Sequence, residues 1–148
     1  MRFIIQRVTQ ARVTVEGKTV GEIGNGFLVL VGVCQGDDRK VADRMVRKLC
    51  GLRIFEDENG KTNLSLKDVG GEMLIVSQFT LYADCKKGYR PSFVKAGDPA
   101  LAEELYEYIL EETGKEIPMV QHGVFGAHME VSLVNHGPFT VLLDSTEI

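Results

Sequence analysis

The sequence has no tryptophan, only four prolines and three cysteines, and no excess of basic charge. Each shortage closes off a class of protein. Cys34, Cys50 and Cys85 are odd in number, widely spaced and without a CxxC pair, which argues against a disulfide framework or a zinc ribbon. Reduced thiols in the cytoplasm fit that usage. A net charge of -4 argues against a broadly basic nucleic-acid binder, though it leaves room for a local basic patch. No apolar run approaches the ~18 residues of a membrane span, so no membrane partner is expected. The opening MRFIIQRV has only three consecutive apolar residues, too few for a signal peptide, and reads as a first strand.

The common site motifs are missing as well. Neither GxGxxG nor a P-loop pattern occurs, and Gly24-Asn25-Gly26 precedes a strand rather than a helix, so it reads as a turn and not as a phosphate cradle. No cofactor is expected. The histidines are His122, His128 and His136, and no HExxH spacing is present. On an unbroken strand His128 and His136 would share a face but stand about 26 Å apart at ~3.3 Å per residue, too far to share a metal. No metal site is expected. No GxSxG elbow occurs, and Cys34 and Cys85 have no histidine nearby in sequence.

What remains is ordinary for a globular chain: 148 residues, 44% hydrophobic and 26% charged. That length supports a single domain, residues 1–148, able to bury roughly 70% of its unfolded surface. The chain opens with FIIQRVTQARVTVEG, which alternates, and KTVGEIG reads as its return strand. Phe27 to Val33 is a continuous apolar run, consistent with a strand buried on both faces. A helix follows, with Asp37 as its expected N-cap, Val41, Met45, Leu49 and Leu52 as its apolar stripe, and Gly51 as its stop. Arg44, Arg47 and Lys48 load its last turns, where a solvated face is a more common role than RNA contact.

LRIFED reads as a strand, and Gly71 to Asp84 as a second strongly apolar one. Asp98 and Pro99 open a second helix, with Leu101, Leu105, Ile109 and Glu112 at helical spacing and Gly114 as its end. Strands are expected at Pro118 to Gln121, Gly126 to Asn135 and Phe139 to Asp144. Strands in runs, with about eight of them and two main helices, point to an α+β domain whose sheet is mostly antiparallel and curls into a barrel, rather than to a Rossmann fold.

Three stretches could carry chemistry. Ser77-Gln78-Phe79-Thr80 places an amide and a hydroxyl at the end of an apolar strand, with Gln78 and Thr80 expected on one face and Ser77 and Phe79 on the other. A strand simply leaving the core is the competing explanation. Lys86, Lys87, Arg90 and Lys95 are interleaved with Tyr89 and Phe93, a combination that suits phosphates and stacked bases of single-stranded RNA. A solvated loop would look the same. Finally, Gly137-Pro138 sits between two strand-like runs, where a bend is the default reading.

Taken together, SQFTLYAD (Ser77 to Asp84), GYRPSF (Gly88 to Phe93), FGAHMEVSLVNHGPFTVLLDS (Phe125 to Ser145) and the opening IIQRVTQARVTVEG resemble the D-aminoacyl-tRNA deacylase family, essentially end to end. The resemblance implies a homodimer of barrel-like subunits with active sites at the subunit interface. It implies hydrolysis of the ester joining a D-amino acid, or mischarged glycine, to the 3′-terminal adenosine of tRNA. It further implies that Ser77, Gln78, Phe79 and Thr80 form the catalytic segment, and that Arg7, Met129, Gly137 and Pro138 contact substrate or position the groups that do. The Gly137-Pro138 peptide would be cis and would reach into the partner subunit's site.

His136 stands where the family often has an acidic residue, and Phe139 where it often has Val. The intact SQFT segment points to the D-specific branch rather than to the L-alanine-selective one, which differs at the SQFT and Gly-Pro segments. The competing reading from another class is a non-catalytic RNA-binding barrel using the Lys86 to Lys95 loop. A purely structural dimer is the third.

Overall fold

The computed structural model describes residues 1–148. In chain order it has β1 (Arg2–Val15), β2 (Lys18–Ile23), β3 (Gly26–Gly32), α1 (Arg39–Cys50), β4 (Phe55–Glu56), β5 (Thr62–Leu64), β6 (Glu72–Ser77), α2 (Pro99–Glu116), β7 (Val120–His122) and β8 (Glu130–Asp144). A short 3₁₀ turn, Phe79–Tyr82, follows β6.

β1 organises the sheet. One edge pairs with β3 over Arg2 to Val8 and then with β2 over Ala11 to Val15; the other pairs with β8 from Arg2 to Thr14. All three pairings are antiparallel. The sheet continues through β6 and β7, and these junctions, β3–β6 and β6–β7, are parallel. These two junctions make the sheet mixed, although the antiparallel pairings of β1 predominate as expected, and α1 and α2 lie on the crossovers that a parallel neighbour requires. The outer edges approach each other, since a Cβ on Gly21 of β2 would lie 2.7 Å from the His122 carbonyl of β7. The result is an α+β domain with a nearly closed, mixed, barrel-like sheet.

Two apolar cores follow from this layout. Phe3, Ile5, Phe27, Val29, Met73 and Ile75 pack against Met45 and Leu49 of α1 and Leu105, Tyr106 and Ile109 of α2. Val8, Ala11, Val13, Ile23, Leu28, Leu74 and Val76 fill a smaller core. β3 therefore contributes to both, as its unbroken apolar run predicts. A register shift between Val8 and Gln10, where Thr9 is the extra residue, breaks the alternation of β1. That is why Phe3 and Ile5 serve the first core while Val8, Ala11 and Val13 serve the second.

Several boundaries differ from expectation. Asp38, not Asp37, caps α1 by accepting from the Val41 N–H at 2.9 Å. Asp37 instead accepts from the Cys34 N–H at 2.7 Å and pairs with the Met1 amine. Asp98 caps α2 at the Leu101 N–H, with Pro99 in the first position, as expected. The helix runs past Gly114 to Glu116 because Thr113 is buried and its carbonyl accepts from the Ile117 N–H at 2.9 Å. The LRIFED strand shrinks to Phe55–Glu56, and His128 lies before β8 rather than on it.

The two ends of the chain meet at Arg2 and Asp144, adjacent on β1 and β8. Burial opposes ionisation of Asp144. Hydrogen bonds from Arg2 Nε at 2.7 Å, the Thr146 N–H at 3.0 Å and the Thr146 hydroxyl at 2.8 Å outweigh it and hold the carboxyl at about 2. An unfolded aspartate titrates near ~3.9. The stabilisation is therefore complete above that value and is lost as pH falls through about 2. Asp144→Asn is expected to lower the urea midpoint at pH 7 and to flatten its decline between roughly pH 4 and pH 2. An unchanged acid limb would show that the pair contributes nothing.

Candidate functional site

β6 ends where its core ends. Met73 to Val76 are buried, Ser77 is half-buried, and Gln78 donates its backbone N–H to the Val31 carbonyl at 2.7 Å. The chain then turns, so Thr80 is not on the strand as the apolar composition of FTLY suggests. The Leu81 N–H bonds to the Gln78 carbonyl at 3.3 Å and the Ala83 N–H to the Thr80 carbonyl at 3.0 Å. The N–H groups of Phe79 and Thr80, the first two residues of the turn, have no acceptor within it. Gln78 and Thr80 meet all the same: Gln78 Nε2 donates to Thr80 Oγ1 at 2.5 Å. Phe79 is exposed and packs edge-on against Phe93, with ring centroids 5.0 Å apart.

This turn borders a cavity of about 740 Å³ at the carboxyl ends of the parallel pair β3 and β6. Val31, Val33, Val76, Ala102, Phe125 and Val131 make much of its wall, and Ser77, Gln78, Phe79 and Met129 also line it. Its size and mostly apolar lining with a few polar groups suit a small organic group. A polar cleft of equal volume lies between the carboxyl ends of α1 and α2. Its charges largely neutralise one another, as in Lys67–Glu116 and Lys115–Glu112, and it lacks the apolar wall. Burial pushes the Cys50 thiol there up to about 11, which makes it an inert thiol at neutral pH.

The second sequence-predicted element lies elsewhere on the chain. Between the pairs Gln6–Thr140 and Val8–Asn135, β8 spends four residues, His136 to Phe139, opposite Arg7. β8 is thus one strand with an outward bulge rather than two strands. The bulge is clamped by Asn135, whose Oδ1 accepts from the Phe139 N–H at 2.6 Å and whose Nδ2 donates to Thr140 Oγ1 at 2.9 Å. Gly137-Pro138 at its tip is a cis peptide and is exposed.

Arg7 supports the bulge from below. It is 6% exposed, donates from Nε to the His136 carbonyl at 2.9 Å and from Nη1 to the Ile54 carbonyl at 2.7 Å, and lays its guanidinium over the Phe139 ring at 4.6 Å. Phe139 therefore offers Arg7 an aromatic face that Val could not.

The structure brings Ser77, Gln78, Phe79 and Met129 to one cavity, sets Thr80 beside Gln78 at its margin, and groups Arg7 with Gly137 and Pro138 in a separate, outward-facing bulge. Sequence reasoning missed Asn135, although Asn just before a Gly-Pro turn is a legible turn signal. It also missed the cavity role of His128, considered in the sequence only as a metal ligand, and of Phe93. No cluster of three or more His, Cys, Asp or Glu groups with metal-binding geometry is present, and no helix is long and apolar enough to cross a membrane.

Fold and site together define a small α+β barrel-like protein with an apolar cavity rimmed by an amide, a hydroxyl and an aromatic ring. Residues 4–144 match the family model described as D-Tyr-tRNA(Tyr) deacylase, and the chain belongs to that family. It is 55% identical over 148 residues to a protein of Thermosipho africanus named D-aminoacyl-tRNA deacylase, covering 100% of this chain and 99% of the relative. A Lactobacillus acidophilus protein of the same name is 57% identical over 144 residues, covering 97% and 99%.

Among solved structures, the c-Myc DNA unwinding element binding protein superposes with a TM-score of 0.92 at 42% identity, covering 97% of this chain and 98% of its own. A probable eukaryotic D-amino acid tRNA deacylase superposes with a TM-score of 0.84 at 18% identity, covering 96% and 97%, which speaks for the fold alone.

Proposed function

We propose that this protein is an ester hydrolase that releases D-amino acids, and glycine mischarged onto tRNA, from the 3′-terminal adenosine of tRNA. The observation that carries this reading is the apolar cavity with Ser77, Gln78 and Phe79 at its rim, in a chain that the family spans almost end to end. The cavity would hold the terminal nucleoside and its aminoacyl group. Water adds to the ester carbonyl carbon, the bond from that carbon to the ribose oxygen breaks, and the proton passes to the ribose oxygen.

The Phe79 and Thr80 N–H groups, without acceptors in their own turn, are suited to stabilise the developing oxyanion. The ribose 2′-hydroxyl of the substrate helps activate the water. Thr80 positions rather than attacks. Its hydroxyl is engaged by an amide that cannot serve as a base, and an unactivated hydroxyl is a poor nucleophile.

Chirality is read by exclusion. Two subunits would pair so that the exposed Gly137-Pro138 bulge of one enters the cavity of the other. The exposed apolar Val134 and Leu142 on β8 favour such an assembly. A backbone wedge near the substrate Cα rejects any group projecting in the L direction, whatever its chemistry, while glycine has nothing to clash. The expected place of action is the cytoplasm.

The test is deacylation of D-Tyr-tRNA, L-Tyr-tRNA and Gly-tRNA. Release of the D and glycyl esters with retention of the L ester is expected. Equal release of both stereoisomers would remove the wedge. No release from any would leave the nucleic-acid-binding reading, which gains some weight from the 42% identity to a DNA unwinding element binding protein.

Thr80→Ala is expected to reduce kcat about tenfold, the worth of one hydrogen bond of ~1.4 kcal/mol, without abolishing turnover. Complete loss, together with an acyl-enzyme trapped in the unaltered protein, would make Thr80 the nucleophile.

A further inference from the structure

The loop from Cys85 to Pro91 is a built projection at the cavity mouth. Its base is closed by two backbone hydrogen bonds between Asp84 and Ser92, at 2.7 and 2.9 Å. Asp84 also accepts from the Lys86 N–H at 3.0 Å and pairs with Lys95 at 3.4 Å. The nearby carboxylate is therefore already committed to Lys95, and Asp98 is committed to capping α2. Lys86, Lys87 and Arg90 are exposed and have no ion-pair partner anywhere in the structure. Tyr89, between them, is fully exposed at 106% and packs on nothing. Gly88, at φ +64, makes the turn. Immediately after the loop, Phe93 lines the cavity and touches Phe79.

Three free cations and one free aromatic ring, on a chain of net charge -4, form a local inversion of sign next to a cavity. We propose that this loop holds the single-stranded 3′ end of the tRNA, with Lys86, Lys87 and Arg90 on the phosphates that precede the terminal nucleoside and Tyr89 stacked on one of its bases. The proposal rests on the assignment of the cavity to the terminal nucleoside. The strand leaving that nucleoside must pass the rim, and the loop stands there. A single-stranded polynucleotide matches both the charges and the ring, because phosphates pair with cations while an unpaired base offers a π face. An anionic membrane would use the charges, but the exposed apolar side chains beside them, Phe79, Phe93 and Val94, line the cavity rather than form the apolar face of an amphipathic helix.

The experiment compares the unaltered protein with Lys86→Gln/Lys87→Gln/Arg90→Gln and with Tyr89→Ala. The probe is a short labelled single-stranded RNA ending in CCA, titrated at several salt concentrations. Each phosphate contact contributes roughly -0.7 to the slope of log K against log salt for a single strand, so the triple variant is expected to flatten that slope by about 2. Tyr89→Ala should weaken binding about tenfold or more and leave the slope unchanged.

In parallel, kcat/KM on D-Tyr-tRNA should fall at least about tenfold more in the triple variant than kcat/KM on the D-tyrosyl ester of adenosine, which has no preceding phosphates. An unchanged salt slope, equal losses on the two esters, or binding only to anionic vesicles would overturn the proposal. If the unaltered protein hydrolyses neither ester, the deacylase reading fails, and the RNA titration still decides the role of the loop.

Discussion

Replacing Arg7 by Ala is expected to lower the stability of the protein by about 3 kcal/mol and to remove most deacylase activity. The side chain is almost wholly buried, yet it sits on a strand whose neighbours at Ile5 and Val8 are core residues. It belongs there because its guanidinium satisfies two carbonyls, those of His136 and Ile54, and covers the Phe139 ring. Truncation leaves both carbonyls short of a donor, at ~1–3 kcal/mol for each buried one, and opens a void beneath the bulge. For a chain of this size that loss corresponds to a Tm lower by roughly 6–12 °C.

Activity should suffer beyond the stability effect, because the His136 to Phe139 excursion then has nothing under it. Arg7→Lys separates the two contributions. It keeps a cation but lacks the planar fork that reaches two acceptors at once, so it should recover part of the Tm and little of the activity. Thermal unfolding and kcat/KM on D-Tyr-tRNA, measured well below the variant's Tm, check both. A Tm within about 2 °C of the unaltered protein would show that Arg7 does not support the bulge.

Elements with a strong period were legible from residues alone. β3 is a run of apolar residues bounded by glycines, and α2 opens on Asp98-Pro99, whose capping chemistry has few other uses. The end of β6 was not legible. Phe79, Leu81 and Tyr82 are as suitable for a strand as Met73 to Val76. The Gln78 N–H still makes a ladder bond to Val31 on β3, and the chain leaves the sheet only after it, where the Leu81 N–H turns back to the Gln78 carbonyl, a turn with no signature in the apolar pattern. The parallel β3–β6 and β6–β7 junctions were hidden for a related reason: a strand's apolar pattern reports burial and not the direction of its neighbour.

The site divides in the same way. Ser77 to Thr80 and Gly137-Pro138 stand out as segments, and the resemblance attached roles to them. The cavity that the first segment borders is walled by Val33, Ala102 and Phe125, apolar residues from three separate stretches of the chain that look like any other core. Arg7 shows the limit most clearly, since nothing in QRV distinguishes a buried arginine from a solvated one until β8 bulges over it.

Gly137→Ala is expected to leave a folded protein that has lost about a hundredfold in kcat/KM on D-Tyr-tRNA and most of its preference for D over L esters. The cause is steric. Gly137 has φ +146, a conformation that residues with a Cβ rarely adopt, and an added methyl would lie 2.9 Å from the Phe139 nitrogen, 3.1 Å from the Phe139 Cβ and 3.3 Å from Arg7 Nη2. None of these neighbours is free to retreat. The Phe139 N–H is held by Asn135, and the Arg7 guanidinium by two carbonyls.

The strain must therefore be relieved at the exposed tip, which moves the very peptide proposed to meet the substrate Cα. A displacement near 1 Å at a positioning element is worth on the order of a hundredfold in rate. Because the tip is exposed and the cores are untouched, Tm should change by only a few degrees. Gly17→Ala is the control. Gly17 also has a positive φ, +76, but an added Cβ there would meet nothing within 4 Å, so the variant carries backbone strain without contact and should keep both rate and selectivity. Rates on D-Tyr-tRNA, L-Tyr-tRNA and Gly-tRNA for the two variants decide the matter. Unchanged rates and an unchanged D-to-L ratio in Gly137→Ala would mean that the bulge does not read the chirality of the substrate.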